Sequence, residues 1–154
     1  RKVCWMKAKI SKGEKTNILK TATTYPTCIS DHQRVIKNSK KCWLARLGRD
    51  VASQPLINRN GYFFLYQHGD LFIAHFNEIE KNKPETDFPD SYEKYVYGKG
   101  KEPYEYVLLD YLEQVPTEIL CKLHYEGNGR TVSDTITRSP KAYMTVVADE
   151  DISL

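Results

Sequence analysis

Turn signals cut this chain into apolar runs too short to be helices of ordinary length. Asn58-Arg59-Asn60-Gly61 leads into residues 62–66, His68-Gly69-Asp70 turns the chain into 71–76, and Glu126-Gly127-Asn128-Gly129 separates 119–125 from 130–137. Asn and Gly tolerate the positive φ that tight hairpin turns demand, and the runs between them are rich in β-branched and aromatic residues. Residues 62–76 and 119–137 are therefore predicted hairpins. Shorter runs at 3–10, 18–24, 27–29, 42–47 and 142–147 read as further strands, with Pro26 confining its neighbours to a sheet edge. Residues 104–115 fit either a helical face or a buried strand, and their strand-like flanks favour a strand through Leu112. Eight or nine short strands at near-even spacing predict a mostly all-β fold, an antiparallel β-sandwich or barrel.

Two segments stand apart from this pattern. Residues 31–41 are polar and basic, with Val35-Ile36 as their only apolar pair, and predict a loop or a frayed helical turn. Residues 80–101 combine charge and tyrosine with Pro84, Pro89, Gly98 and Gly100, and predict a long Pro/Tyr/charge-rich loop inserted outside the core. The 154 residues suit a single domain over 1–154. No uncharged apolar run approaches the roughly 20 residues of a membrane-spanning helix, so no membrane insertion is expected within this chain.

Chemistry-bearing constellations are absent where they would have to be. There is no GxSxG elbow, and the one close Cys–His pair, Cys28 and His32, reads as a surface histidine on a basic loop. His68, His75 and His124 read as lone histidines, with no spacing that converges them on a metal. Gly98-Lys99-Gly100-Lys101 lacks the length and the strand-then-helix frame of a phosphate loop. Asp87 and Asp90 lie in a polar stretch where nothing raises a carboxyl pKa for acid–base work. No catalytic residue, cofactor or metal is expected, which leaves non-enzymatic binding. Four cysteines, at 4, 28, 42 and 121, allow three complete pairings, and they contain no CxxC. Two disulfides outside the cell and four thiols inside it both remain open.

Binding has two readings, and charge separates them. The net charge of +3 hides 13 Lys/Arg against 2 acidic residues in 1–49 and 10 against 18 in the remainder. In the basic third, Arg34, Lys37, Lys40, Lys41, Arg46 and Arg49 surround Trp43, the mix of cations and rings that a nucleic-acid or sulfated-glycan surface uses. That alternative implies a nuclear or cytoplasmic protein. The favoured reading rests on tyrosine, which is frequent at 11 and is a usual anchor of protein interfaces together with arginine. Tyr92, Tyr95, Tyr97 and Tyr104 lie in the Tyr-rich stretch 92–106, and Tyr125 and Arg130 flank the last hairpin turn. These six are the candidate contacts to a protein ligand or receptor.

The segment Leu120-Cys121-Lys122-Leu123-His124-Tyr125-Glu126-Gly127-Asn128-Gly129-Arg130-Thr131 resembles the F–G hairpin of the immunoglobulin-like superfamily, most of all in receptor domains of the interleukin-1 type. Gly69-Asp70-Leu71-Phe72-Ile73 is similar to a GxLxI strand of such domains, and Trp43 follows Cys28 at about the spacing of their strand-C tryptophan. The resemblance implies an immunoglobulin-like sandwich with Cys28 bridged to Cys121, and Cys4 and Cys42 paired or free. It also implies an extracellular or cell-surface setting, as a receptor ectodomain fragment or a secreted binding protein. Two departures stand beside it. The span from Cys28 to Cys121 is longer than usual, so an insertion is required, and 80–101 is the natural one. Ile119 occupies the position of the superfamily's corner tyrosine.

Overall fold

A computed structural model of the chain describes residues 8–154. Its strands are β1 (Lys9–Ile10), β2 (Lys15–Lys20), β3 (Cys42–Arg46), β4 (Tyr62–Gln67), β5 (Asp70–Glu80), β6 (Glu105–Val115), β7 (Leu123–Tyr125), β8 (Tyr143–Ala148) and β9 (Ile152–Ser153). Helices α1 (Cys28–Ser39), α2 (Tyr92–Tyr95) and α3 (Val132–Thr135) interrupt them. Strand exceeds helix, as expected of a mostly β chain. Seven strands join one sheet in the order β3-β6-β5-β4-β2-β8-β7, while β1 and β9 form an antiparallel pair of their own. The seven-stranded sheet is mixed: β2 runs parallel to β4 and antiparallel to β8. A parallel pair needs a crossover where a hairpin turn would not serve, and the chain between β2 and β4 is long enough to hold α1 and β3.

The chain divides into two compact units. The first comprises 8–20, Leu56–Ile73 and Gln114–Leu154. Here β2 is central and carries Thr16, Asn17 and Ile18 fully buried. A buried amide is tolerable only if satisfied. Asn17 donates to the Met144 carbonyl (3.3 Å) and accepts from the Ile57 N–H (2.9 Å). Asn58 performs the turn read from sequence: its Oδ1 accepts from the Asn60 N–H (3.0 Å) and its amide donates to the Lys15 carbonyl (2.9 Å), aiming the chain into β4. The next turn, His68-Gly69, has φ of +49° and +85°, the two positive values of a type I′ connection. The 62–76 hairpin is thus as expected.

The other hairpin is not. Residues 130–137 form α3 and a 3-10 turn, Ile136–Arg138, and the pairing shrinks to a bridge between His124 and Thr131. Thr and Val favour strands only where packing supports it, and here Val132 and Ile136 are buried from α3 and the 3-10 turn instead.

The second unit comprises Thr21–Pro55 and Ala74–Glu113. Two expectations are corrected in it. Residues 27–29, expected as an edge strand, and 31–41, expected as a loop or a frayed helical turn, contribute instead to a regular helix, α1, which ends on Lys40 in the left-handed region (φ +70°). Its buried face is Cys28, Ile29, Asp31 and His32, so polar side chains occupy positions where an apolar stripe would have announced the helix. Residues 80–101 do not lie outside the core. Tyr92 and Val96 are each 1% exposed and pack with Tyr25 and Cys28. Tyr95 stacks on Tyr25 at 4.4 Å, and Phe88 on Tyr92 at 5.7 Å. Each such ring removes on the order of 150–250 Å² from water, enough to order a segment otherwise rich in charge. Gly98 is needed for the close turn that follows, since a Cβ there would lie 2.2 Å from the Glu93 carbonyl oxygen.

The disulfide implied by the resemblance is also corrected. Cys28, Cys42 and Cys121 all carry free thiols, the first two buried and the third exposed in the 3-10 turn Thr117–Lys122. Cys28 sits on a helix and not on an inner strand, so its thiol packs into the core of its own unit. Cys4 lies outside the described residues.

Candidate functional site

Two places concentrate polar groups, one in each unit. In the second unit His32, 1% exposed, is not the surface histidine expected. Its Nδ1 lies 2.6 Å from the Cys28 carbonyl, which can only accept, so Nδ1 carries the proton. Nε2 therefore accepts from the Tyr92 hydroxyl at 2.6 Å. That hydroxyl in turn accepts from the Ala45 N–H at 2.8 Å. Burial drives the His32 pKa down to about 4, against the opposing pull of the Cys28 carbonyl and the Asp31 carboxylate. Burial, with Asp31 beside it, pushes the Cys28 thiol up to about 12. The pair is thus held as thiol and neutral imidazole, the opposite of an activated thiolate–imidazolium pair.

Around it, Asp31 accepts from Ser91 (2.6 Å) and Thr27 (2.8 Å), and Ser91 meets the Tyr25 hydroxyl at 2.5 Å. Each polar atom of this network has a partner within it, which makes it a structural core.

The network protects a sheet edge. β3 is the terminal strand of the seven, and an open edge invites pairing with another chain. Two of its outward N–H groups are taken, that of Trp43 by the Asp87 carbonyl (2.7 Å) and that of Ala45 by Tyr92. The segment expected to be a free loop is the edge's cover.

This geometry redistributes the candidate contacts. Tyr92 is core and Tyr95 is half-buried against Tyr25. Tyr97 meets the Tyr106 hydroxyl at 2.8 Å, and Tyr104, 39% exposed, lies under the Lys81 ammonium. The alternative basic patch loses a member: Arg46 is 5% exposed and paired with Glu105 at 3.0 Å. Burying an arginine demands such a partner. Arg34 pairs with Asp31 at 3.4 Å. Lys37, Lys40 and Lys41 are exposed at the C-terminal end of α1, where cations suit the helix dipole, and Arg49 is exposed in the 3-10 turn Arg49–Ser53.

Tyr125 and Arg130 meet in the first unit, where they line a cleft of about 820 Å³ with Asn128, Arg138, Lys141 and Tyr143. One wall is the turn after β7, closed by the Gly129 N–H on the Tyr125 carbonyl (2.9 Å). The other wall runs from α3 to β8 and is held by Lys20, whose ammonium donates to the Ile136 and Ser139 carbonyls at 2.8 and 2.7 Å. The Tyr125 hydroxyl accepts from Thr135 at 3.0 Å, which fixes the ring across the floor. Among the described residues, Arg130, Arg138 and Lys141 take part in no ion pair. Glu126, the lining carboxylate, is neutralised by Lys15.

Sequence reasoning missed Arg138 and Lys141. Their signal was available: residues 135–148 contain no Asp or Glu, so the cations flanking Ser139-Pro140 have no local counter-charge. Among the described residues, no group of three or more His, Cys, Asp or Glu side chains is placed to hold a metal ion. No helix among the described residues is long and apolar enough to cross a membrane. Comparison of the chain with protein-family models, with curated proteins and with solved structures finds no match.

Proposed function

We propose that the chain is a non-enzymatic binding module that engages a protein partner through the cleft between β7, α3 and β8. The observation that carries this reading is the convergence of the Tyr125 and Tyr143 rings with two arginines that have no ion pair among the described residues, in one concavity of about 820 Å³. Tyr and Arg dominate the centres of protein interfaces, and a concave, partly apolar floor lets them be desolvated on binding. The reading is supported by the buried Cys28–His32 pair, whose protonation states suit packing and leave it without a nucleophile. The nucleic-acid alternative is weakened by the loss of Arg46 from the basic surface.

A photo-reactive side chain tests it. Placed at Tyr143, it should form adducts with a polypeptide. The same group at Lys37, in the second unit, should give few. Adducts to nucleic acid, or adducts from Lys37 alone, would contradict the assignment.

A further inference from the structure

We infer that what the cleft takes from its partner is an acidic segment, a run of Asp or Glu carboxylates. The inference rests on the cleft being the binding site and names the chemistry of its occupant. Three cations face one concavity without a counter-ion among the described residues, and the lining Glu126 is occupied by Lys15. Like charges gathered in this way raise the local potential and draw in an anion. Arginine meets carboxylate in a two-point fork, so Arg130 and Arg138 can each hold one carboxylate.

The kind of anion follows from which donors remain free. A phosphate is usually cradled by backbone N–H groups at a turn or a helix start. Here four of those groups are used within the chain. The Gly129 N–H goes to the Tyr125 carbonyl and the Arg130 N–H to Asn128 Oδ1 (2.9 Å). The Ser139 N–H goes to the Thr135 carbonyl (3.0 Å) and the Lys141 N–H to Ser139 Oγ (3.3 Å). The charge is carried by side chains at three separate positions along the walls, Arg130, Arg138 and Lys141, which suits carboxylates spaced along a peptide better than a single phosphate.

Fluorescence anisotropy with a labelled oligoglutamate peptide tests this. The comparison ligands are an oligoglutamine peptide, a phosphoserine peptide and a single-stranded oligonucleotide. Oligoglutamate should bind most tightly and weaken with added salt, as exposed charge pairs do. Arg138→Glu should weaken it about tenfold, because reversal replaces an exposed attraction with a repulsion of similar size. Lys141→Glu should act in the same direction, and covers the case in which the first variant folds poorly. Lys37→Glu should leave binding unchanged.

Preference for the phosphopeptide or the oligonucleotide would overturn the inference. Equal binding of oligoglutamine, with adducts still forming from Tyr143, would overturn the acidic ligand while sparing the protein-binding reading. Failure of every peptide together with failure of the Tyr143 adducts would overturn both.

Discussion

Tyr92→Phe should lower the unfolding free energy by about 3 kcal/mol, although it removes a single oxygen. The loss leaves two groups unsatisfied, the part-buried Ala45 N–H on the edge strand and the buried Nε2 of His32, and such orphans cost about 1–3 kcal/mol each. For a chain of this size the melting temperature should fall by roughly 6–12 °C. The ring itself stays packed against Phe88 and Tyr97, so the effect isolates the hydroxyl. Tyr95→Phe is the control. Its ring is half-buried and stacked on Tyr25, and the same deletion there should change stability by less than about 0.5 kcal/mol. Urea titration of the two variants decides the matter. Equal losses would mean that Tyr92 does not cap β3.

Acid should weaken the same core through His32. The imidazole is neutral in the folded chain, with a pKa lowered to about 4 from 6.5. As the pH falls, the unfolded chain therefore takes up the proton first. The stability that depends on a neutral His32 is complete above pH 6.5, is lost between 6.5 and 4, and changes no further below that. At 1.36 kcal/mol per pKa unit the total is about 3 kcal/mol. The groups facing His32 are the Cys28 carbonyl and thiol, the Asp31 carboxylate and the Tyr92 and Tyr25 rings. Asp31 opposes the shift, and burial outweighs it. Urea titrations between about pH 7 and pH 5, above most carboxyl titration, should show this slope in the native sequence and none in His32→Gln. An unchanged slope in the variant would contradict the protonation state assigned to His32.

Much of the fold was legible where local chemistry and tertiary context agree. The 62–76 hairpin was announced by its turn, and β3, β6 and β8 by apolar runs that the folded sheet buries. β4 and the first halves of β5 and β6 carry unbroken buried runs, which is how strands covered on both faces read. α1 was hidden because its inward face of Cys28, Ile29, Asp31 and His32 is half polar, and burial of Asp31 and His32 becomes tolerable only when Ser91 and Tyr92 arrive from some 60 residues away. Residues 80–101 misled for the same reason. Their charge was visible and their ring packing was not. Of the candidate contacts, Tyr125 and Arg130 flank a turn whose position was clear. Arg138 and Lys141 were lost with the mistaken strand over 130–137.

Hydrogen exchange of the chain with and without bound oligoglutamate tests the central claim most directly. If the cleft is the binding site, exchange should slow across 124–138 and 142–145 and stay unchanged over α1 and α2. Slowing confined to 34–41, with residues 124–145 unaffected, would place the ligand on the basic helix end and contradict the account.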